Sequence, residues 1–130
     1  MTAQAAPRVT VEISGGIMGI RRHYEVGGGH VVMIAAIGGP PEVSRRASFG
    51  ELTEITSAAS QATKFSQADI VDGGVIYDGF NYRVSVDSPT SGFWSVTYSQ
   101  GDTVPQEIKS LAAKVLEIAK NQIEGPEAAL

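Results

Sequence analysis

The sequence predicts an α+β domain, an antiparallel β-sheet of about four strands with two helices packed on one face. Three observations carry that prediction. Val9 to Val26 and Phe80 to Ser99 alternate apolar and polar residues with a period of two, and each is broken once by a turn-forming stretch. The segments opening at Ser48 and Thr103 repeat apolar residues at helical spacing behind a capping signature. Their order along the chain is strand, strand, helix, strand, strand, helix, with no internal repeat or linker to divide it.

In the opening hairpin, Val9, Val11 and Ile13 alternate with Thr10 and Glu12, and Ile20, Arg22, Tyr24 and Val26 resume the alternation beyond a tip at Ser14 to Gly19. Gly15, Gly16 and Gly19 permit positive φ and close backbone approach. Ile17 and Met18 stand where a turn of purely structural role carries Asn or Asp. Two readings of these apolar residues are open, filling beneath the sheet or a plug presented outward.

Gly27 to Ala47 is rich in glycine and proline around the run HVVMIAAI. His30 to Ile37 reads as a short buried strand and GGPPEVSRRA as a mobile loop after it. Ser48 with Glu51 three residues on forms a capping box, and Leu52, Ile55, Ala59 and Ala62 follow at helical spacing. Their stripe is weak, so this helix is expected to lean on the sheet. Asp69 to Gly79 is turn-rich. Phe80, Tyr82, Val84 and Val86 then face one way and Asn81, Arg83, Ser85 and Asp87 the other. Ser88 to Gly92 turns the chain into a last strand, Phe93 to Ser99. Thr103, with Gln106 three residues on and Pro105 in the first turn, is expected to cap the final helix. Its Ile108, Leu111, Ala112, Val115, Leu116 and Ala119 make one apolar stripe.

At 130 residues and 42% hydrophobic content, the chain fits one domain with a substantial core. Residues 1–8 read as a disordered leader, 9–122 as the domain and 123–130 as a flexible tail. There is no cysteine, hence no disulfide framework, thiolate site or cysteine nucleophile. The start has neither the basic nor the apolar character of a signal peptide, which points to a cytoplasmic location, and no apolar run approaches the roughly 20 residues of a membrane span. A net charge of −4, with only the pairs Arg21-Arg22 and Arg45-Arg46 clustered, argues against nucleic acid.

Residue types for catalysis are scarce. His23 and His30 lack partners at metal-ligand spacing, and the paired glycines lack the Lys and Ser or Thr of a phosphate loop. Asp69, Asp72 and Asp78 match no cation-loop spacing and read as solvated loop residues. Tyr77, Phe80, Tyr82, Phe93, Trp94 and Tyr98 concentrate aromatic rings on adjacent strands, which cross-strand packing under the helices accounts for better than a ligand platform. The chain is expected to be no enzyme and to carry no catalytic residue, cofactor or metal.

Taken together, VEISGGIMGIRRHYEV, YDGFNYRVSV and the helix running to Ala119 resemble the emfourin family, small bacterial inhibitors of protealysin and related thermolysin-like metalloproteases. The family's opening strand, paired glycine, apolar residue and Gly-Ile-Arg-Arg run match Val11 to Arg22, and its Asp-x-x-x-Tyr-x-x-x-Val strand matches Asp78, Tyr82 and Val86. Over residues 9 to 119 the chain departs from the pattern at Gly27 to Ala47, which is longer, and at Lys64-Phe65-Ser66, where a double aromatic is usual. The resemblance implies a tight, stoichiometric, non-covalent blocker of a thermolysin-like zinc endopeptidase, monomeric when free. Gly15, Gly16, Ile17, Met18, Gly19, Arg21 and Arg22 would then bind the protease, Ile17 or Met18 filling the pocket for the residue after the scissile bond and the arginines steering encounter from the rim. The alternative is a non-inhibitory interaction module that docks through the same hairpin or an edge strand.

Overall fold

The computed structural model describes residues 7–16, 20–27, 30–34, 43–74 and 79–120, with backbone alone for residues 20, 30–34, 43–45 and 120. Its strands are β1 (Arg8–Gly15), β2 (Ile20–Gly27), β3 (His30–Ile34), β4 (Val43–Arg46), β5 (Phe80–Ser88) and β6 (Gly92–Ser99). Helix α1 (Phe49–Ala62) separates β4 from β5, and α2 (Gln106–Lys120) follows β6. The strands form one antiparallel sheet in the order β4-β3-β2-β1-β5-β6. The α+β architecture is the one the sequence predicts.

β1, β2, β5 and β6 are the two expected hairpins, β3 falls within the short strand expected at His30 to Ile37, and β4 brings the sheet to six. β4 lies within the stretch read as a mobile loop: Val43, Ser44, Arg45 and Arg46 pair with Met33, Val32, Val31 and His30. A four-residue strand holding two arginines has no alternation to reveal it, and its partner β3 supplies the hydrogen bonds that order it. β1 starts at Arg8 and Pro7 is buried, so these two residues of the stretch read as a leader pack with the domain.

Pairing aligns the apolar positions in rows across the sheet. Val26, Val9, Val86 and Trp94 form one row, and Tyr24, Val11, Val84 and Val96 the next. Val9, Val11, Tyr24, Val26 and Val84 are fully buried on this face. α2 lies across β1, β2 and β3 and closes the core with Ile108, Leu111, Ala112, Val115 and Leu116, none of them exposed. Burying each large side chain contributes about 1.5 to 3 kcal/mol, so this face is the main source of stability. α1 buries Ile55, Ala59 and Ala62 and packs chiefly against α2, touching the sheet at β2. Its small alanines suit close approach to a neighbouring helix, which is why it leans on α2 more than on the sheet.

The capping box of α1 forms as expected: Glu51 N–H donates to Ser48 Oγ at 3.1 Å and Ser48 N–H donates to Glu51 Oε1 at 2.8 Å. Thr53 and Thr56 of α1, and Thr63 at its C-terminal cap, donate their hydroxyls to the carbonyls four residues back. α2 differs from expectation at its start. Thr103 does not cap it, because its N–H donates to Val71 O at 2.8 Å and its carbonyl accepts from Val71 N–H at 2.9 Å, holding it in a β-bridge. The helix opens at Gln106, with the Pro105 carbonyl accepting from Ile108 N–H.

The other face of the sheet is polar and is covered by neither α1 nor α2 among the described residues. Thr10, Glu12 and Ser14 lie on it, with His23 and Glu25 from β2, Arg83 and Ser85 from β5, and Ser95 and Thr97 from β6. Phe93 belongs to this face too, opposite Asp87, and is 67% exposed rather than packed under the helices. No described helix is long and apolar enough to cross a membrane.

Candidate functional site

Register defines the base of the hairpin. β1 and β2 stay paired as far as Gly15 opposite Ile20, leaving residues 16–19 to connect them. β5 continues the anchoring on the other side of β1, with Phe80 opposite Gly15 and Gly16 N–H donating to Gly79 O at 3.2 Å. Gly15 and Gly16 have φ of 103° and 76°, in the region that favours glycine. Space demands glycine as well: a Cβ on Gly15 would come within 2.7 Å of the Gly79 carbonyl, and one on Gly16 within 2.5 Å of the Phe80 ring. Both glycines therefore seat the hairpin base on β5. Ile17, Met18 and Gly19 lie outside the described residues.

Strand alternation separates the two arginines. Arg22 lies opposite Ile13 on the helix-covered face, half-buried in the row that continues to Tyr82 and Tyr98. Arg21 lies opposite Ser14 on the polar face and is exposed. They lie on opposite sides of β2, so a surface engaging Arg21 reaches the polar face while one engaging Arg22 approaches the core side.

His23 sits among acids. Its Nδ1 is 3.4 Å from Glu12 Oε1 and its Nε2 is 3.6 Å from Glu25 Oε1, while the other Glu25 oxygen is 3.7 Å from Arg8 Nε. The chain Arg8–Glu25–His23–Glu12 runs across β1 and β2 as a partly exposed polar network, the kind of pairing that water screens. No group of three or more His, Asp or Glu among the described residues could hold a metal ion. Asp69 and Asp72 serve as turn caps, accepting from Ser66 N–H and Gly74 N–H, both at 2.8 Å, and Asp78 lies outside the described residues.

A trough of about 540 Å³ opens on the polar face, beside the hairpin base. Ser14, Arg21, Asn81 and Arg83 lie along it, and Gln67, Ile70, Asp72 and Asp102 wall its β6 side. Ile13, Arg22, Tyr82 and Tyr98, at the alternate positions of the same strands, also line it, and no described residue of α1 or α2 does. Sequence reasoning singled out Arg21 here but not Asn81 or Arg83, which come beside it only because β1 lies between β2 and β5. The signal available in the sequence was the polar half of the β5 alternation.

No family model, curated protein or solved structure matches this chain.

Proposed function

We propose that this chain is a non-covalent inhibitor of a thermolysin-like zinc metalloprotease of the protealysin type, blocking the active-site cleft with the glycine-rich hairpin of residues 15–19. The observation that carries the reading is the seating of the hairpin base: pairing runs unbroken to Gly15 and Ile20, and Gly15 and Gly16 are held against Phe80 of the neighbouring strand and Gly79 just before it. A connection fixed at its root loses less freedom on binding, and such preorganisation is what lets a standard interface of roughly 800 Å² per partner bind tightly. The sequence places Ile17 and Met18 within that connection, flanked by glycine. Seating one of them fully in an apolar pocket contributes about 1.5 to 3 kcal/mol. Arg21, on the exposed face beside the hairpin, is placed to raise the association rate toward an acidic cleft rim.

Titration of a thermolysin-like protease with the protein tests the reading. The expected result is loss of activity with a sharp one-to-one end point. Ile17→Asp and Met18→Asp, with folding verified, are each expected to weaken inhibition by at least roughly tenfold, the equivalent of 1.4 kcal/mol. Inhibition unchanged by both substitutions would move the contact away from the tip. A one-to-one complex that leaves the protease active would make the hairpin the docking element of a non-inhibitory module.

A further inference from the structure

The trough brings together partly or fully exposed hydrogen-bond donors that no described residue pairs. Arg21 makes no ion pair or hydrogen bond with any described residue. Directly across from it, the Ser14 hydroxyl has no described partner, and across from Ser14 stands Asn81. The Asn81 carbonyl oxygen accepts from Ser99 Oγ at 2.8 Å, which leaves its amide group turned to donate elsewhere. Arg83, two residues along β5, contacts Ser95 Oγ through Nε alone at 3.4 Å, so its terminal amino groups are free among the described residues.

The acids that line the trough do not supply the missing acceptors. Glu12 faces His23 at 3.4 Å. Asp102 accepts from two backbone donors, Gly73 N–H and Ser99 N–H, at 2.9 and 2.8 Å. Asp72 accepts from Gly74 N–H at 2.8 Å. Two guanidinium groups, a hydroxyl and an amide thus share the space with three carboxylates, each holding another partner; Glu12 stands opposite Arg83 in register, yet neither Arg21 nor Arg83 forms an ion pair with any of the three.

We propose that this trough is a binding site for a small organic di- or tricarboxylate. A guanidinium presents parallel N–H groups that match the two oxygens of a carboxylate, and charge-assisted pairs of that kind are about twice as strong as neutral hydrogen bonds. Arg21 on β2 and Arg83 on β5 flank β1, two strand spacings across and two residues along, roughly 12 Å apart at the backbone, and their long side chains close part of that distance. A four- to six-carbon acid therefore places one carboxylate on Arg21 with Ser14 and Asn81, and another on Arg83. At about 540 Å³ the trough is in the range of small-molecule sites, roughly 300 to 1,000 Å³. The site stands whether or not the chain inhibits a protease.

The test is a nuclear magnetic resonance titration of the intact protein with succinate and with citrate, against sodium chloride at matched ionic strength. The expected result is saturable movement of the Arg21 and Arg83 Nε–H signals and of the Asn81 side-chain amide, absent with chloride. Arg21→Gln and Arg83→Gln, both at exposed positions, are expected to keep the folded spectrum and each weaken binding roughly tenfold. Arg83→Lys keeps the charge but loses the fork and is expected to weaken binding as well. Movement that does not saturate, that chloride reproduces, or that survives both Gln substitutions at full strength would overturn the site.

Discussion

Gln67 holds both outward-facing backbone groups of Thr97. Thr97 N–H donates to Gln67 Oε1 at 2.8 Å, and Gln67 Nε2 donates to the Thr97 carbonyl at 2.7 Å. A side-chain amide has the same donor and acceptor pair as a peptide, so Gln67 occupies the place of one residue of a seventh strand. Its neighbours continue the cover: Trp94 Nε1 donates to Phe65 O at 2.7 Å, and Ser99 N–H donates to Asp102 Oδ2 at 2.8 Å. An unprotected edge strand is a template for pairing with another chain, and the segment after α1 blunts β6 against that.

Gln67→Ala is accordingly expected to destabilise the protein by about 1 to 2 kcal/mol, toward the low end because water can reach Thr97. It is also expected to increase self-association. Gln67→Glu keeps an acceptor for Thr97 N–H but turns a negative oxygen on the Thr97 carbonyl, so at neutral pH it should be no more stable than the alanine variant. Urea unfolding measures the first effect and light scattering against concentration the second. A Gln67→Ala protein as stable and as monomeric as the parent would mean that the lock is idle.

Tyr98 illustrates the opposite case, a buried polar group without a partner. Its ring stacks on Tyr82 with centroids 5.2 Å apart, and among the described residues nothing hydrogen-bonds to its hydroxyl. Burial, assisted by the neighbouring Tyr82, raises its pKa well above the ordinary 10.0. An unpaired buried hydroxyl costs about 1 to 3 kcal/mol. Tyr98→Phe keeps the stack and removes that cost, so it is expected to stabilise the protein by about 1 kcal/mol at neutral pH.

The alkaline limb follows from the same group. With the folded pKa above the unfolded one, the folded state retains the proton longer. That contribution is complete below the unfolded value near pH 10 and is lost as pH rises through the folded value. Stability of the parent should fall above pH 10, and less steeply in Tyr98→Phe. Urea midpoints measured from pH 8 to 11 read both effects. A destabilised Tyr98→Phe would imply a partner for the hydroxyl.

These relationships differ in how far they can be read from the residues alone. The period-two runs of β1, β5 and β6 are legible because one face of each is buried, and the α2 stripe is legible because Ile108 through Ala119 all meet the core. β4 is hidden, because Val43 to Arg46 is short and polar and owes its order to β3. The Thr103 capping signature misleads because Val71 claims both of that residue's backbone groups from a segment 32 residues earlier. The same non-local logic governs the site. Arg21 is visible as a basic residue beside the hairpin, but its juxtaposition with Asn81 and Arg83 depends on β5 pairing with the side of β1 away from β2.

Two glycines offer substitutions of opposite sign, which separates conformational need from loss of chain freedom. Gly16 has φ of 76° and would drive a Cβ into the Phe80 ring, 2.5 Å away. Gly16→Ala is therefore expected to destabilise by about 1 to 3 kcal/mol, the range for a strained backbone. Gly50, in the first turn of α1, has no such φ, and its Cβ would meet only Ser48 Oγ at 4.0 Å. Gly50→Ala is expected to stabilise by about 0.4 to 1 kcal/mol, because alanine narrows the unfolded ensemble and favours helix. Urea unfolding of both variants checks the pair. If Gly16→Ala were neutral, the hairpin base would tolerate an ordinary residue and the preorganisation on which the inhibitor reading rests would be lost.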